Sequence, residues 1–173
     1  MGQRTQPIGV GGLAERRTAH AGRPAGRAPG ARPDGTVPAM EGSLQFERRG
    51  DIDSARLDDL FAAAWGRPKP GYEKVFAHSF TWVAAWEGDD LVGFVNVAWD
   101  GDVHFFLLDT TVHPDHQRRG IARRLVEEAI DACRGHGEWL HVDADEELMQ
   151  RLYEPAGFRP TAAAILDLTQ GGE

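Results

Sequence analysis

The 173-residue chain contains a single cysteine, Cys133, and no apolar run that approaches the length of a bilayer-spanning helix. One cysteine excludes an intramolecular disulfide and fits a reducing compartment, where a small buried apolar role is the default. The lack of a spanning run and of a secretory-type leader predicts a cytoplasmic protein. The length and the 41% hydrophobic content fit one globular domain with its own core.

Positive charge is also scarce, with 19 Lys and Arg against 27 Asp and Glu and a net charge of -8. This balance argues against nucleic acid or an anionic membrane as the main partner and is compatible with a cationic one. Residues 1–40 nevertheless carry six arginines, many Gly, Pro and Ala, and no aromatic residue. That composition predicts a disordered basic tail, with Met40 as a natural start for the folded part. An arm that binds nucleic acid or a membrane would have a similar composition and is the alternative.

The remaining residues, 41–173, hold 13 basic and 25 acidic side chains, a formal charge of about -12. Their hydrophobic pattern alternates between strand and helix, which predicts an α/β domain. Asp53 is placed to cap a helix with an apolar face, and Gly-Asp-Asp between two apolar runs is a hairpin signal. The predicted strands cover 44–49, 80–87, 91–99, 103–112, 138–144 and a last one near 162–168, and the later helices cover 121–133 and 146–157.

The segment His-Pro-Asp-His-Gln-Arg-Arg-Gly, residues 113–120, precedes an amphipathic helix and is unusually basic. A helix N-terminus carries partial positive charge, so arginines there are locally unfavourable unless an anion binds. Gly120 allows the backbone to approach such a ligand closely. The pattern predicts a phosphate-binding loop. The alternative is that Arg123 and Arg124 only pair with Glu127 and Glu128 four residues later.

These residues resemble the pyrophosphate-binding signature of the GCN5-related N-acetyltransferases (GNAT family), in which a strand ending in Val leads to Gln/Arg-x-x-Gly-x-Gly/Ala and a helix. The matching positions here are Gln117, Gly120 and Ala122. Leu-Tyr-Glu-Pro-Ala-Gly-Phe-Arg-Pro at 152–160 resembles the family's later Tyr…Gly-Phe segment. Over residues 44–168 the resemblance implies an α/β (α+β) fold, with a mixed, mostly antiparallel central sheet flanked by helices on both faces. The sheet would be splayed between its third and fourth main strands.

The resemblance also implies acetyl-CoA as co-substrate and assigns residues to it. The strand end would present backbone groups to the pantetheine arm, and the loop and helix start would hold the pyrophosphate. The implied residues are Thr110, Thr111, Val112, Gln117, Arg118, Arg119, Gly120, Ile121, Ala122 and Arg123. The chain differs from the family at Glu146, where an asparagine commonly contacts the cofactor.

The chemistry that the resemblance implies is attack of an amine on the acetyl thioester, which requires a proton acceptor and a weak acid for the departing thiolate. Tyr153 matches the family position of that acid, and a core aromatic role is the alternative. The base is open between His141, which strand periodicity places on one face with Asp143, and Asp109 at a strand end. The carboxylate that some members carry on the preceding strand is absent.

The predicted function is therefore an N-acetyltransferase for a cationic small molecule or a protein amino group. The alternative is a non-catalytic acyl-CoA-binding or regulatory module. Trp65, Tyr72 and Phe76 surround an irregular region that would border the acceptor cleft. His113 and His116 form His-x-x-His without a Cys partner or a metalloprotease helix, so we expect them to shape the loop and expect no metal. A homodimer is left open.

Overall fold

The computed structural model describes residues 43–169, and the predicted basic tail over 1–40 lies outside them. Within residues 43–169, none of the helices has the length and hydrophobicity of a membrane-spanning segment. The strands are β1 (Leu44–Arg48), β2 (Ser79–Glu87), β3 (Asp90–Trp99), β4 (His104–Val112) and β5 (Trp139–Val142), and the helices are α1 (Ser54–Trp65), α2 (Glu73–Phe76), α3 (Ile121–Cys133) and α4 (Glu146–Leu148). The described residues also include a 3₁₀ turn over Pro114–His116 and a π-helical turn over Met149–Tyr153.

The five strands form one sheet in the order β1-β2-β3-β4-β5. The first four strands pair antiparallel, whereas β5 lies parallel to β4 because α3 carries the chain back along the sheet. Helices pack on both faces, so the predicted mixed, mostly antiparallel sheet is confirmed. The pairing of β4 with β5 ends at Leu107 and Val142, while β4 continues to Val112, so the two strands separate at this end.

Local sequence signals account for the two long helices. The Asp53 carboxylate accepts a hydrogen bond from the Ala55 N–H at 3.0 Å and caps α1, as the sequence predicts. Gly66, with φ +74°, ends α1 in the left-handed conformation that favours glycine. The apolar face of α3 buries Leu125 and Val126 completely against the sheet.

The two faces of the sheet are covered to different extents. On the closed face, α3 and the chain after β5 bury the larger core cluster, which includes Phe105, Leu107 and Leu125. On the open face, α1 and α2 cover the middle of the sheet around Phe94. They leave the β4–β5 side of that face uncovered, with Phe106 44% exposed.

The predicted last strand near 162–168 is wrong, because residues 159–167 have no regular structure and no strand partner. Pro160, just before the predicted strand, lacks the backbone N–H that a strand would use for pairing. The segment leaves Leu166 80% exposed, so no apolar contact fixes a strand register there. The predicted helix over 146–157 is shorter than expected, since α4 passes into the π-helical turn and ends in turns after Tyr153.

Candidate active site

A cavity of about 420 Å³ opens where β4 extends beyond β5. Its walls come from the end of α1, the end of β4, the loop before α3 with the first turn of α3, and the segment from Asp145 to Leu152. Nine of the ten residues that the sequence assigns to the co-substrate line it, and Arg119 does not. The nine are Thr110, Thr111, Val112, Gln117, Arg118, Gly120, Ile121, Ala122 and Arg123.

The first turn of α3 lines this cavity, and the first N–H groups of a helix have no partner within the helix. Gly120 caps the helix with φ +80° and Arg118 has φ +61°, so two nearby loop residues adopt left-handed backbone. No side chain caps the helix, and a Cβ on Gly120 would meet nothing within 4 Å. Open space in front of aligned N–H groups at a positive helix end is suited to an anion.

Most arginines at this loop already have acidic partners. Arg119 pairs with Glu87 at 2.6 Å, and this contact holds the pKa of the Glu87 carboxyl below its usual range. The predicted four-residue pairings are confirmed: Arg123 to Glu127 is 2.8 Å, and Arg124 to Glu128 is 2.5 Å. Arg118 has no ion pair within residues 43–169, which leaves its charge available to a ligand.

The two histidines before α3 organise the loop, as expected from the sequence. The His113 Nδ1 accepts a hydrogen bond from the Asp115 N–H at 3.3 Å and so caps the 3₁₀ turn. The His116 Nδ1 lies 3.0 Å from a Glu87 carboxylate oxygen. Each ring therefore has a structural partner.

Tyr153 lies in the closed-face core, 2% exposed, with its hydroxyl turned to the end of β4. The hydroxyl donates to the Thr110 Oγ1 at 3.2 Å, and Thr110 lines the cavity. Burial raises the pKa of Tyr153, the hydrogen bond with Thr110 opposes that shift, and the charge of Asp145 adds to it. The phenol is therefore held protonated at neutral pH, as a proton donor must be.

Asp109 occupies a bulge in β4 just before Thr110. The register with β3 shifts between the Phe94–Thr111 and Asn96–Leu108 pairs, and Asp109 has φ +54°. The Asp109 Oδ2 accepts from the Lys69 Nζ at 2.8 Å and from the Tyr72 hydroxyl at 2.7 Å. Burial, followed by the charge of Asp109, raises the pKa of Tyr72, so the phenol remains a donor.

His141 and Asp143 do not form the predicted pair in the structure. The His141 Nε2 lies 2.8 Å from the His104 Nδ1, and its ring stacks on Phe106 on the open face. Both residues line a separate open groove of about 1190 Å³ beside β5, not the cavity that contains Thr110.

Lys69 lies between Pro68 and Pro70 in the irregular loop after α1, and no sequence pattern marks it as a site residue. Trp65 and Tyr72, which the sequence places near the acceptor cleft, both lie at this end of the sheet. Trp65 lines the cavity, and its indole Nε1 is buried with no hydrogen-bond partner in the described part of the chain. A lone lysine in a Pro- and Gly-rich loop carries no periodic signal, so only the fold reveals its contact with Asp109.

Comparison with solved structures places the fold among acetyltransferases. A GNAT family acetyltransferase from Streptococcus pneumoniae superimposes with a TM-score of 0.63 at 22% identity, covering 73% of this chain and 99% of that one. An acetyltransferase from Trypanosoma brucei superimposes with a TM-score of 0.61 at 16% identity, over 73% of this chain and all (100%) of that one. At these identities, the likeness concerns the fold alone.

Curated sequences give a similar result over shorter segments. The N-alpha-acetyltransferase RimI of Mycobacterium tuberculosis is 33% identical over 85 residues, which are 45% of this chain and 51% of RimI. An uncharacterized protein of Mycobacterium leprae is 28% identical over 99 residues, 53% of this chain and 26% of that protein. The matches thus span about half, or less, of these curated relatives.

The family model described as Acetyltransferase (GNAT) family matches residues 51–158. This range runs from just before α1 to just beyond the π-helical turn, so it includes the Gly120 loop, the bulge at Asp109 and Tyr153. The chain belongs to the GNAT family of acetyltransferases.

Proposed function

We propose that the protein transfers the acetyl group of acetyl-CoA to the amino group of a cationic acceptor. One observation carries the proposal: the Gly120 loop lines the same cavity as Thr110, and Thr110 accepts a hydrogen bond from the buried Tyr153 hydroxyl. An anion-binding loop alone would fit any phosphorylated ligand. A buried phenol beside it adds the proton donor that thioester cleavage needs.

The residues present fit the phosphate and pantetheine portions of acetyl-CoA. The backbone N–H groups at Gly120 and the Arg118 side chain, which has no ion pair among the described residues, would hold the pyrophosphate. The other arginines nearby, Arg119, Arg123 and Arg124, are already paired with glutamates, so Arg118 carries the charge available to the phosphates. The pantetheine arm of acetyl-CoA contains amide groups that need hydrogen-bond partners. The Trp65 Nε1, which has no partner among the described residues, and the part of β4 beyond its pairing with β5 could provide them along the cavity.

Acetyl-CoA supplies the activated acyl group, and the chain's own groups manage the protons. Asp109 would accept a hydrogen bond from the acceptor ammonium and pass one proton to solvent, which frees the nitrogen lone pair. The nitrogen would then bond to the carbonyl carbon as the carbon–sulfur bond breaks, and the acylated nitrogen would lose its second proton to water. Tyr153 would protonate the sulfur and regain its proton through the Thr110 hydroxyl or water. Asp109 does not line the cavity itself, but it is favoured over His141 as the base because it directly precedes Thr110, whereas His141 lines the separate groove beside β5.

The co-substrate site is tested at Gly120. Gly120→Glu should weaken acetyl-CoA binding at least about tenfold, ~1.4 kcal/mol, because the carboxylate occupies and repels the phosphate space. Gly135→Glu is the matched control, since Gly135 has the same φ of +80°, equally open surroundings and a place at the other end of α3. Calorimetry on both folded variants should show a loss only for Gly120→Glu. Equal affinities would exclude the loop as the phosphate site.

The transfer step is tested by thiol release across a panel of amines, with product masses recorded. Tyr153→Phe keeps the ring against Phe158, 5.5 Å away, and removes only the hydroxyl. It should lower kcat at least about tenfold, with little change in acetyl-CoA affinity or Tm, since general acid catalysis contributes about 10²–10⁴-fold. Wild-type kcat with chemistry rate-limiting would refute the donor role. Tight acetyl-CoA binding without release for any amine would support a binding module instead.

A further inference from the structure

The Lys69 ammonium is surrounded by one carboxylate and three aromatic rings. Its Nζ lies 2.8 Å from the Asp109 Oδ2. It also lies 5.2 Å from the ring centroid of Tyr72, 5.9 Å from that of Trp65 and 6.0 Å from that of Phe61. All three distances fall within the range of cation–π attraction. We call Asp109, Phe61, Trp65 and Tyr72 the ammonium cage.

The walls of the cage are packed against the core and against one another. Phe61 and Tyr72 are almost fully buried, and Trp65 stacks on Phe61 at 4.2 Å. The Tyr72 hydroxyl orients the Asp109 carboxylate, whose side chain is only 16% exposed. A partly desolvated carboxylate strongly favours a counter-cation, and the ring faces attract a cation electrostatically.

The cage adjoins the cavity assigned to acetyl-CoA. Trp65 belongs to both, because its ring faces Lys69 while the residue lines the cavity. Asp109 is bonded directly to Thr110, which accepts the Tyr153 hydrogen bond. The cage therefore shares Trp65 with the cavity, and its carboxylate belongs to the residue that precedes the Tyr153 hydrogen-bond acceptor in β4.

Lys69 occupies the cage from a partly exposed position. Its side chain is 43% exposed and reaches the cage from an irregular loop with glycines at 66 and 71. The chain has 17 arginines and only two lysines, Lys69 and Lys74, so a compact ammonium at this position stands out against an arginine-rich background. An ammonium on an unbranched alkyl stem is the cation that the cage accommodates in this structure.

We propose that the ammonium cage binds the primary ammonium of the acceptor, and that Lys69 is an internal competitor that the acceptor displaces. The identification of the bound ammonium as the acceptor rests on the proposed acetyl transfer, but ammonium binding itself can be measured in the absence of acetyl-CoA. The acceptor class is an unbranched primary alkylammonium. A tethered competitor acts at an effective concentration on the order of millimolar, so its removal should strengthen ligand binding.

The test uses Lys69→Met, which keeps an apolar stem and removes the charge, with 1,4-diaminobutane as probe and calorimetry without acetyl-CoA. Lys69→Met should bind the diamine at least about threefold more tightly than wild type, because the tethered cation no longer competes. Lys74→Met on exposed α2 is the matched control and should match wild type. Lys69→Arg keeps a tethered cation and should show no gain.

A companion variant ties any gain to the cage. Adding Asp109→Asn to Lys69→Met should abolish the tighter binding, and 1-butanol should bind none of the variants measurably. Unchanged or weaker diamine binding by a folded Lys69→Met variant would overturn the proposal, as would a gain that survives Asp109→Asn. Tighter binding together with no thiol release for any amine of the panel would retain the cage as an ammonium site and refute the acetyl transfer, so the two failures are distinguishable.

Discussion

The closed and open faces of the sheet use similar residues in different ways. On the closed face, the apolar side of α3 meets alternate residues of β2, β3 and β4, and Leu125 is completely buried. On the open face, the same strand β4 leaves Leu108 43% exposed, and α1 and α2 cover only the neighbouring strands. The closed face thus supplies most of the stability, while the open face leaves the Phe106 and Leu108 side chains of β4 accessible to solvent.

The largest expected effect is a difference in the free energy of unfolding between two substitutions, one on each face. Leu125→Ala should lower the free energy of unfolding by about 2–5 kcal/mol, because it removes buried methyl groups and leaves a cavity. Leu108→Ala should cost less than about 1 kcal/mol, because its side chain already meets solvent. Denaturant unfolding of both variants measures the contrast. Equal losses would mean that the open face contributes to the core as strongly as the closed face.

A second, smaller effect concerns Cys133, buried on the closed face. Burial raises the pKa of the Cys133 thiol from 9.0 to about 11. The unfolded chain therefore loses this proton first, so the contribution to stability is complete below pH 9 and is lost as pH rises toward 11. The loss is at most roughly 3 kcal/mol.

Tm measured from pH 8 to 11 checks this window. Cys133→Ala should give a shallower decline between pH 9 and 11 than wild type, because the alanine has no proton to lose. The buried tyrosines still contribute above pH 10 in both proteins, so the difference between the two curves isolates the thiol. Parallel curves would show that Cys133 ionises with an ordinary pKa in the folded state.

The smallest expected effect lies on the open face, at His141. Because its ring contacts His104 and Phe106 and not Asp143, His141→Gln should change kcat less than about threefold. The acidic limb of the pH–rate profile should remain. Loss of that limb in the variant would instead identify His141 as the base and would remove Asp109 from that role.

Local signals in the sequence predicted much of the fold. The Asp53 cap, the Gly-Asp-Asp hairpin and the apolar face of α3 each depend on residues a few positions apart, and all three are present. The prediction of a last strand near 162–168 was wrong because strand formation depends on residues far away in the sequence. A strand requires a partner edge, and no property of the segment itself provides one.

The sequence by itself determined the family, the Gly120 loop and the place of Tyr153, since short motifs carry all three. Only the tertiary structure decided which charges are available. It paired Arg119 with Glu87 across 32 positions, and it joined Lys69 to Asp109 across 40. It also turned His141 toward His104, away from the cavity. Ion pairs and aromatic cages depend on distances across the fold, which a linear pattern does not encode, whereas caps and turns depend on backbone geometry within a few residues.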